Sequence, residues 1–178
     1  METKTKNSYF DTRSLISRIT IVGVFAALCF VCTSFLQISY AGGMGYFNFG
    51  DCISLLVAMF IGPLEGMLVG MLGGSMSDLF LGGANFVPFT IVAKGSMCLV
   101  TGILMKVLKN HKFMRFISPF IGMIFMVLTY VVCYYILYKE GFWLSSLFDL
   151  VQGISSSIIA ILLLLPLEKS KIKNFLHL

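Results

Sequence analysis

The chain has 178 residues, of which 58% are hydrophobic and 12% charged, and it carries a net charge of +5. A water-soluble domain is about half apolar and about a quarter charged, so this composition excludes an ordinary soluble fold and points to a membrane protein with several spans. A basic chain can bind nucleic acid, but here the basic residues fall at the ends of apolar runs, where membrane orientation accounts for them.

Residues 1–14 are polar and read as a short cytoplasmic tail. The first apolar run follows a basic segment, as a secretory leader would, but its apolar core is longer than the roughly 7–15 residues of such a leader and no A-x-A site follows. It is expected to be a retained helix over about 15–38. Gly23 and Ala27, with Ala26 beside them, give this helix a small-xxx-small face that lets another helix approach closely. Three glycines between Tyr40 and Gly45 predict a loop. A second helix is expected over about 48–61, short for a hydrocarbon core of about 30 Å at about 1.5 Å per residue. Part of the aromatic loop before it should therefore enter the membrane under protein cover.

Gly62-Pro63 breaks the chain, and Pro63 suits the first turn of a third helix over about 64–81. That helix carries glycines at four-residue spacing, Gly62, Gly66, Gly70 and Gly74, and the next step of the ladder is Asp78. Such a ladder permits close backbone packing. Gly82-Gly83 ends the helix, and a fourth is expected over about 86–108. A basic loop leads to a fifth over about 117–138, with Pro119 in its first turn. Lys139-Glu140-Gly141 reads as a tight turn before a sixth over about 144–167. The expected architecture is an all-α membrane protein, one six-helix bundle spanning residues 1–178 with both termini cytoplasmic. Lys4, Lys6, Arg13 and Arg18, then Lys106, Lys109, Lys112 and Arg115, then Lys169, Lys171 and Lys173 all fall on one side of that topology. The positive-inside rule makes this side cytoplasmic.

With the orientation set, the polar residues inside the apolar runs gather in the outer half. Asn48 and Asp51 begin the second helix, and Asp78 lies near the outer end of the third. Thr90 and Lys94 share a face of the fourth. Tyr134, with Tyr135 and Tyr138, ends the fifth, and Asp149, Gln152, Gly153 and Ser156 form one stripe on the sixth. A charge at the bilayer centre costs at least about 2.5–3.5 kcal/mol, so these groups must face protein, water or a ligand. Each has a plainer reading as well. Lys94 could serve only as an internal ion pair with Asp51 or Asp78. Asp149 could be a first-turn acid favoured by the helix dipole, and Asn48 an N-cap. Tyr46 and Asn85 complete the candidate binding set, Tyr46 from an aromatic loop able to lay rings over a flat ligand. Phe142 and Trp143 read as an interfacial aromatic belt.

No catalytic or metal site is expected. Cys29, Cys32, Cys52, Cys98 and Cys133 all lie in apolar runs. The Cys29-x-x-Cys32 pair has neither a second pair nor a neighbouring His, which suits small apolar fillers better than a metal or redox centre. The glycine ladder lacks G-K-[ST] and a preceding strand, so it is no phosphate loop. No cofactor and no ATPase motif is expected.

The segments Y-F-N-F-G-D at 46–51, I-G-P-L-E-G at 61–66, G-G-S-M-S-D-L at 73–79 and T-I-V-A-K-G at 90–95 resemble the N-x-G-D…G-P…S-D…K-G pattern of one branch of the S components of energy-coupling factor (ECF) vitamin transporters. The resemblance covers almost the whole chain. It implies a prokaryotic, multi-pass cell-membrane subunit that captures a small water-soluble vitamin or precursor from outside. It also implies docking on a transmembrane coupling protein (EcfT type) driven by two cytoplasmic ATPases (EcfA and EcfA′ type), and tipping in the membrane to release cargo. Family members dock through small residues of the first helix, often A-x-x-x-A, for which the matching positions are Gly23 and Ala27. The branch includes members linked to pyridoxine and hydroxymethylpyrimidine, which makes these the expected ligands. The rival readings are a stand-alone proton-coupled transporter using Asp78 and Lys94 as a relay, and a structural membrane protein whose polar groups only knit helices together.

Overall fold

The computed structural model describes residues 12–40, 45–108, 113–139 and 142–170. In chain order these form α1 (Thr12–Phe35), β1 (Gln37–Tyr40), β2 (Gly45–Asn48), α2 (Gly50–Phe60), α3 (Pro63–Phe80), a 3₁₀ turn (Ala84–Phe86), α4 (Val87–Val107), α5 (Met114–Tyr138) and α6 (Phe142–Lys169). Four stretches are long and apolar enough to cross a membrane: Leu15–Phe35, Ala84–Val107, Met114–Tyr138 and Trp143–Lys169. α3, with four glycines, Glu65 and Asp78, is less apolar than these.

α2 explains the arrangement of the rest. Every residue from Gly50 to Phe60 except Ile53 is buried, the signature of a helix surrounded by protein rather than set at its edge. α1, α3, α4 and α6 all pack on it. Its 11 residues reach only about 16 Å at 1.5 Å per residue. Leu55, Val57 and Ala58 are at most 1% exposed; Leu55 and Ala58 form a core with Ala93, Met97, Met126, Cys133 and Leu164, and Val57 a second with Val22, Cys29 and Val69.

The segment before α2 departs from the expected all-helical plan. β1 and β2 pair antiparallel, with Gln37 opposite Asn48 and Tyr40 opposite Gly45. α1 accordingly stops at Phe35 instead of reaching Ile38. Backbone lying beside a buried helix has to pair its N–H and C=O groups, and a hairpin ladder does this within the segment itself. The expected loop glycines Gly42 and Gly43, like Glu140, Gly141, both terminal tails and the basic loop 109–112, lie outside the described residues.

Two further expectations shift. α5 begins at Met114, so Pro119 sits inside the helix and not in its first turn. The start is set by the turn in which Phe116 N–H and Ile117 N–H both donate to Phe113 O. α6 begins at Phe142 and runs to Lys169, which places Asp149 two turns from the helix start. α3 ends as its glycines require: Gly82 takes φ +80°, a left-handed conformation that suits a residue without Cβ.

The glycines of α3 face different neighbours. A Cβ at Gly66 would lie 2.4 Å from Ala58 Cβ, so α2 and α3 touch almost backbone to backbone there. At Gly70 and Gly74 it would lie 3.3 Å from Lys94 Cβ and 3.3 Å from Lys94 Cγ respectively. The ladder thus leaves a groove in which the aliphatic stem of Lys94 lies. At the end of the bundle remote from Lys94, Arg18 pairs with Glu65, and Arg115 Nη1 reaches Glu168 Oε2 at 2.7 Å.

Candidate functional site

Because neighbouring helices run in alternating directions, the start of α2, the end of α3, the start of α4, the end of α5 and the first turns of α6 lie at one level. Asn48, Asp51, Asp78, Thr90, Lys94, Tyr134, Asp149 and Gln152 all occupy that level, and each is at most 5% exposed. Eight polar or ionisable side chains buried together in an apolar bundle must answer one another or a ligand.

The centre is a closed network. Lys94 Nζ pairs with Asp51 Oδ1. Gln152 Nε2 donates to the other oxygen, Asp51 Oδ2, at 2.6 Å. Gln152 Oε1 accepts from the Asn48 backbone N–H at 3.3 Å. Asn48 Oδ1 accepts from Gly50 N–H at 3.0 Å, satisfying a backbone donor at the start of α2. The N-cap position itself is Phe49, with no side-chain cap, so the expected N-cap role of Asn48 gives way to a bond to Gly50 N–H. Asp51 stands in the first turn of α2, where the helix dipole favours a carboxylate. Three elements far apart in sequence thus hold one ion pair, and Lys94 combines its expected carboxylate partner with a position beside the other site groups.

An aromatic wall flanks the pair. Tyr130, Tyr134 and Tyr138 follow at i, i+4 and i+8 on α5. Tyr130 and Tyr134 stack with centroids 6.0 Å apart, and Tyr134 and Tyr138 at 6.3 Å. Phe86 meets Tyr134 edge-on at 6.1 Å. Lys94 Nζ lies 5.9 Å from the Tyr130 ring centroid, within cation–π range. The Tyr130 hydroxyl bonds Thr90 Oγ1 at 3.0 Å. Tyr130 is the residue that the sequence reading passed over. Its signal was the four-residue tyrosine spacing, which Tyr135 disguises; Tyr135 is 61% exposed and faces away.

Two further carboxylates are buried at the same level. Asp78 is buried in the last turn of α3, where the negative end of the helix dipole opposes it. Asp149 is 4% exposed and, two turns into α6, lies beyond the first turn over which a dipole helps an acid. The dipole reading of Asp149 fails on that ground. Tyr134 hydrogen-bonds it, and the rest of its stripe, Gln152, Gly153 and Ser156, is buried with it. Asn85, by contrast, is exposed on the 3₁₀ turn. Tyr46 lies in β2 opposite Ser39, and its side chain is outside the described set.

A second face stands apart. Val22, Ala26 and Cys29 turn α1 inward, whereas Gly23 and Ala27 are exposed. A Cβ at Gly23 would meet nothing within 4 Å. Leu15, Ile16, Ile19, Val24, Leu28 and Val31 are exposed on the same helix.

The family model described as "ECF-type riboflavin transporter, S component" matches residues 14–171. A protein of Pyrococcus woesei, named as an uncharacterized protein in a gap 3′ region, is 35% identical over 130 residues, which is 72% of this chain and 86% of its own length. The solved structure described as the S component of a bacterial ECF transporter superposes with a TM-score of 0.71 at 24% identity. It covers 87% of this chain and 97% of its own, a likeness of fold.

Proposed function

The chain belongs to the S-component family of ECF-type riboflavin transporters, and from that premise we propose that the buried network at the α2–α6 level captures a small, flat, heteroaromatic vitamin from outside the cell. S components are substrate-binding membrane subunits of ECF importers, so the chemistry required of the protein is recognition. The observation that carries the reading is the Asn48–Gln152–Asp51–Lys94 network set against the Tyr130–Tyr134–Tyr138 wall. A stack of rings offers a planar surface to a flat ligand. Asp51, Lys94, Asp78, Asp149 and Thr90 offer donors and acceptors around its edge, and a mostly apolar site with a few placed polar groups is the usual form of a small-molecule pocket.

The family name supports riboflavin as a ligand, and the N-x-G-D…K-G pattern supports pyridoxine or a hydroxymethylpyrimidine. In all three cases Lys94 donates to a ligand oxygen, a flavin carbonyl, the pyridoxine phenolic oxygen or the hydroxymethyl oxygen of the pyrimidine, while Asp51 and Gln152 hold it in place. Both termini face the cytoplasm of a prokaryotic cell, in keeping with the basic residues at that end. The exposed Gly23/Ala27 face of α1 docks on the transmembrane coupling protein, which two cytoplasmic ATPases drive. A small-residue face left open on an otherwise apolar helix supports that role.

Calorimetry on the purified protein with riboflavin, pyridoxine and hydroxymethylpyrimidine tests the capture. Saturable binding of at least one is expected at a stoichiometry of about one, as one site per chain requires. No heat from any of them, in protein that remains folded, would sink the function.

A further inference from the structure

The charges of the site do not balance. Asp51, Asp78 and Asp149 are buried at one level with Lys94 as the only cation among the described residues there. Lys94 pairs with Asp51, whose second oxygen accepts from Gln152. Asp149 is 4% exposed, and its Oδ2 has no hydrogen-bond partner among the described residues. The groups that act on it are Asp51 on α2, Lys94 on α4 and Tyr134 on α5, and it acts in turn on Tyr130 and Cys133 of α5. The Tyr134 hydroxyl hydrogen-bonds it, and Tyr134 stacks on Tyr130 with centroids 6.0 Å apart. A buried carboxylate oxygen left without a donor is among the costliest groups a protein can carry. Carboxylate and aromatic faces together are a receptor for positive charge.

We propose that Asp149 makes this site selective for a heteroaromatic ring bearing a protonated ring nitrogen or an exocyclic amino group, whose N–H is donated to Asp149 Oδ2 while the ring lies against Tyr130 and Tyr134. This rests on the vitamin-binding reading and narrows it. A cationic, N–H-rich ring of the pyridine or aminopyrimidine class is preferred over a neutral flavin. Asp149 is a specificity residue, whereas the Asp51–Lys94 pair reads ligand oxygens common to both classes.

The test compares four ligands by calorimetry on the purified full-length protein: pyridoxine, an amino-hydroxymethylpyrimidine, riboflavin, and the benzene analogue of pyridoxine in which CH replaces the ring nitrogen. With the wild-type chain, at least one nitrogen-bearing small ring binds, at least tenfold more tightly than both riboflavin and the benzene analogue. Asp149→Asn removes that preference, weakening the nitrogen ring at least tenfold and leaving the analogue within about twofold, by the logic of a double-mutant cycle. The wild-type comparison stands by itself if the variant does not fold. Riboflavin or the benzene analogue binding as tightly as the nitrogen rings would overturn the selectivity while leaving the vitamin-binding reading intact. Equal loss for all ligands in a folded Asp149→Asn protein would do the same. No binding by any of the four would overturn both.

Discussion

Lys94 has to be judged together with Asp51. Both are nearly sealed from solvent, at 4% and 1% exposure. Removing one member of a buried pair typically costs about 3–5 kcal/mol, because the other charge is stranded, whereas replacing both with apolar residues of similar volume is often near neutral. Lys94→Met is therefore expected to lower thermal stability by about 3 kcal/mol and to abolish vitamin binding. The double variant Lys94→Met/Asp51→Leu should recover most of the stability, measured by thermal unfolding in detergent, and none of the binding. Recovery of both would mean that the pair only fastens α2 to α4. That Asp51, Asp78, Lys94, Asp149 and Gln152 gather at one level was legible in sequence, because ionisable groups in apolar runs are rare and the helix directions bring them there. Their pairing was not. Which of two acids Lys94 meets depends on a groove between α3 and α4 that no spacing rule describes, and Tyr130 was masked by its neighbour Tyr135.

At the scale of the helix, two stripes of small residues look alike in sequence and differ in use. The α3 stripe is internal, since Gly66 meets Ala58 at a separation no real Cβ could occupy. The α1 stripe is external, since Gly23 has open space around it. Gly66→Leu should therefore prevent folding or lower the thermal midpoint sharply, as overpacking does. Gly23→Leu should leave both the thermal midpoint and ligand binding unchanged and abolish co-purification with the coupling protein. Normal complex assembly by Gly23→Leu would remove α1 from the docking face. Sequence spacing finds both stripes and cannot rank them, because burial is settled by which helix lies opposite. The short hairpin was missed for a related reason. Its strands are four residues each, too short for an alternating pattern to show, and the glycines between them signal any turn equally well.

For the whole molecule, the described helices order the chain so that every costly polar group of the site falls at one end, while Arg18–Glu65 and Arg115–Glu168 mark the other. The proposed orientation in the bilayer rests on the basic residues at that second end. In a background with the five native cysteines replaced, Lys139→Cys should react with a membrane-impermeant maleimide in intact cells, and Glu168→Cys only after lysis. The opposite labelling pattern would invert the topology and with it the direction of capture. The helix count and most helix bounds were legible because apolar runs and Gly/Pro breaks are strong signals. The central place of α2 was less so, since a short apolar helix has the same composition whether lipid or protein surrounds it.

The groove that Gly70 and Gly74 leave for the stem of Lys94 also bears on the strength and speed of capture. A lysine side chain carries about 2 kcal/mol of rotamer entropy. Held between glycines and fixed at its tip by Asp51, Lys94 surrenders that freedom when the chain folds rather than when a vitamin arrives. In the proposed site an incoming ring meets an ammonium already aimed. The same lysine on a mobile surface would charge its ordering to the complex, and affinity would fall by about thirtyfold. In the proposed site, two absent side chains on α3 thus strengthen a contact made from α4.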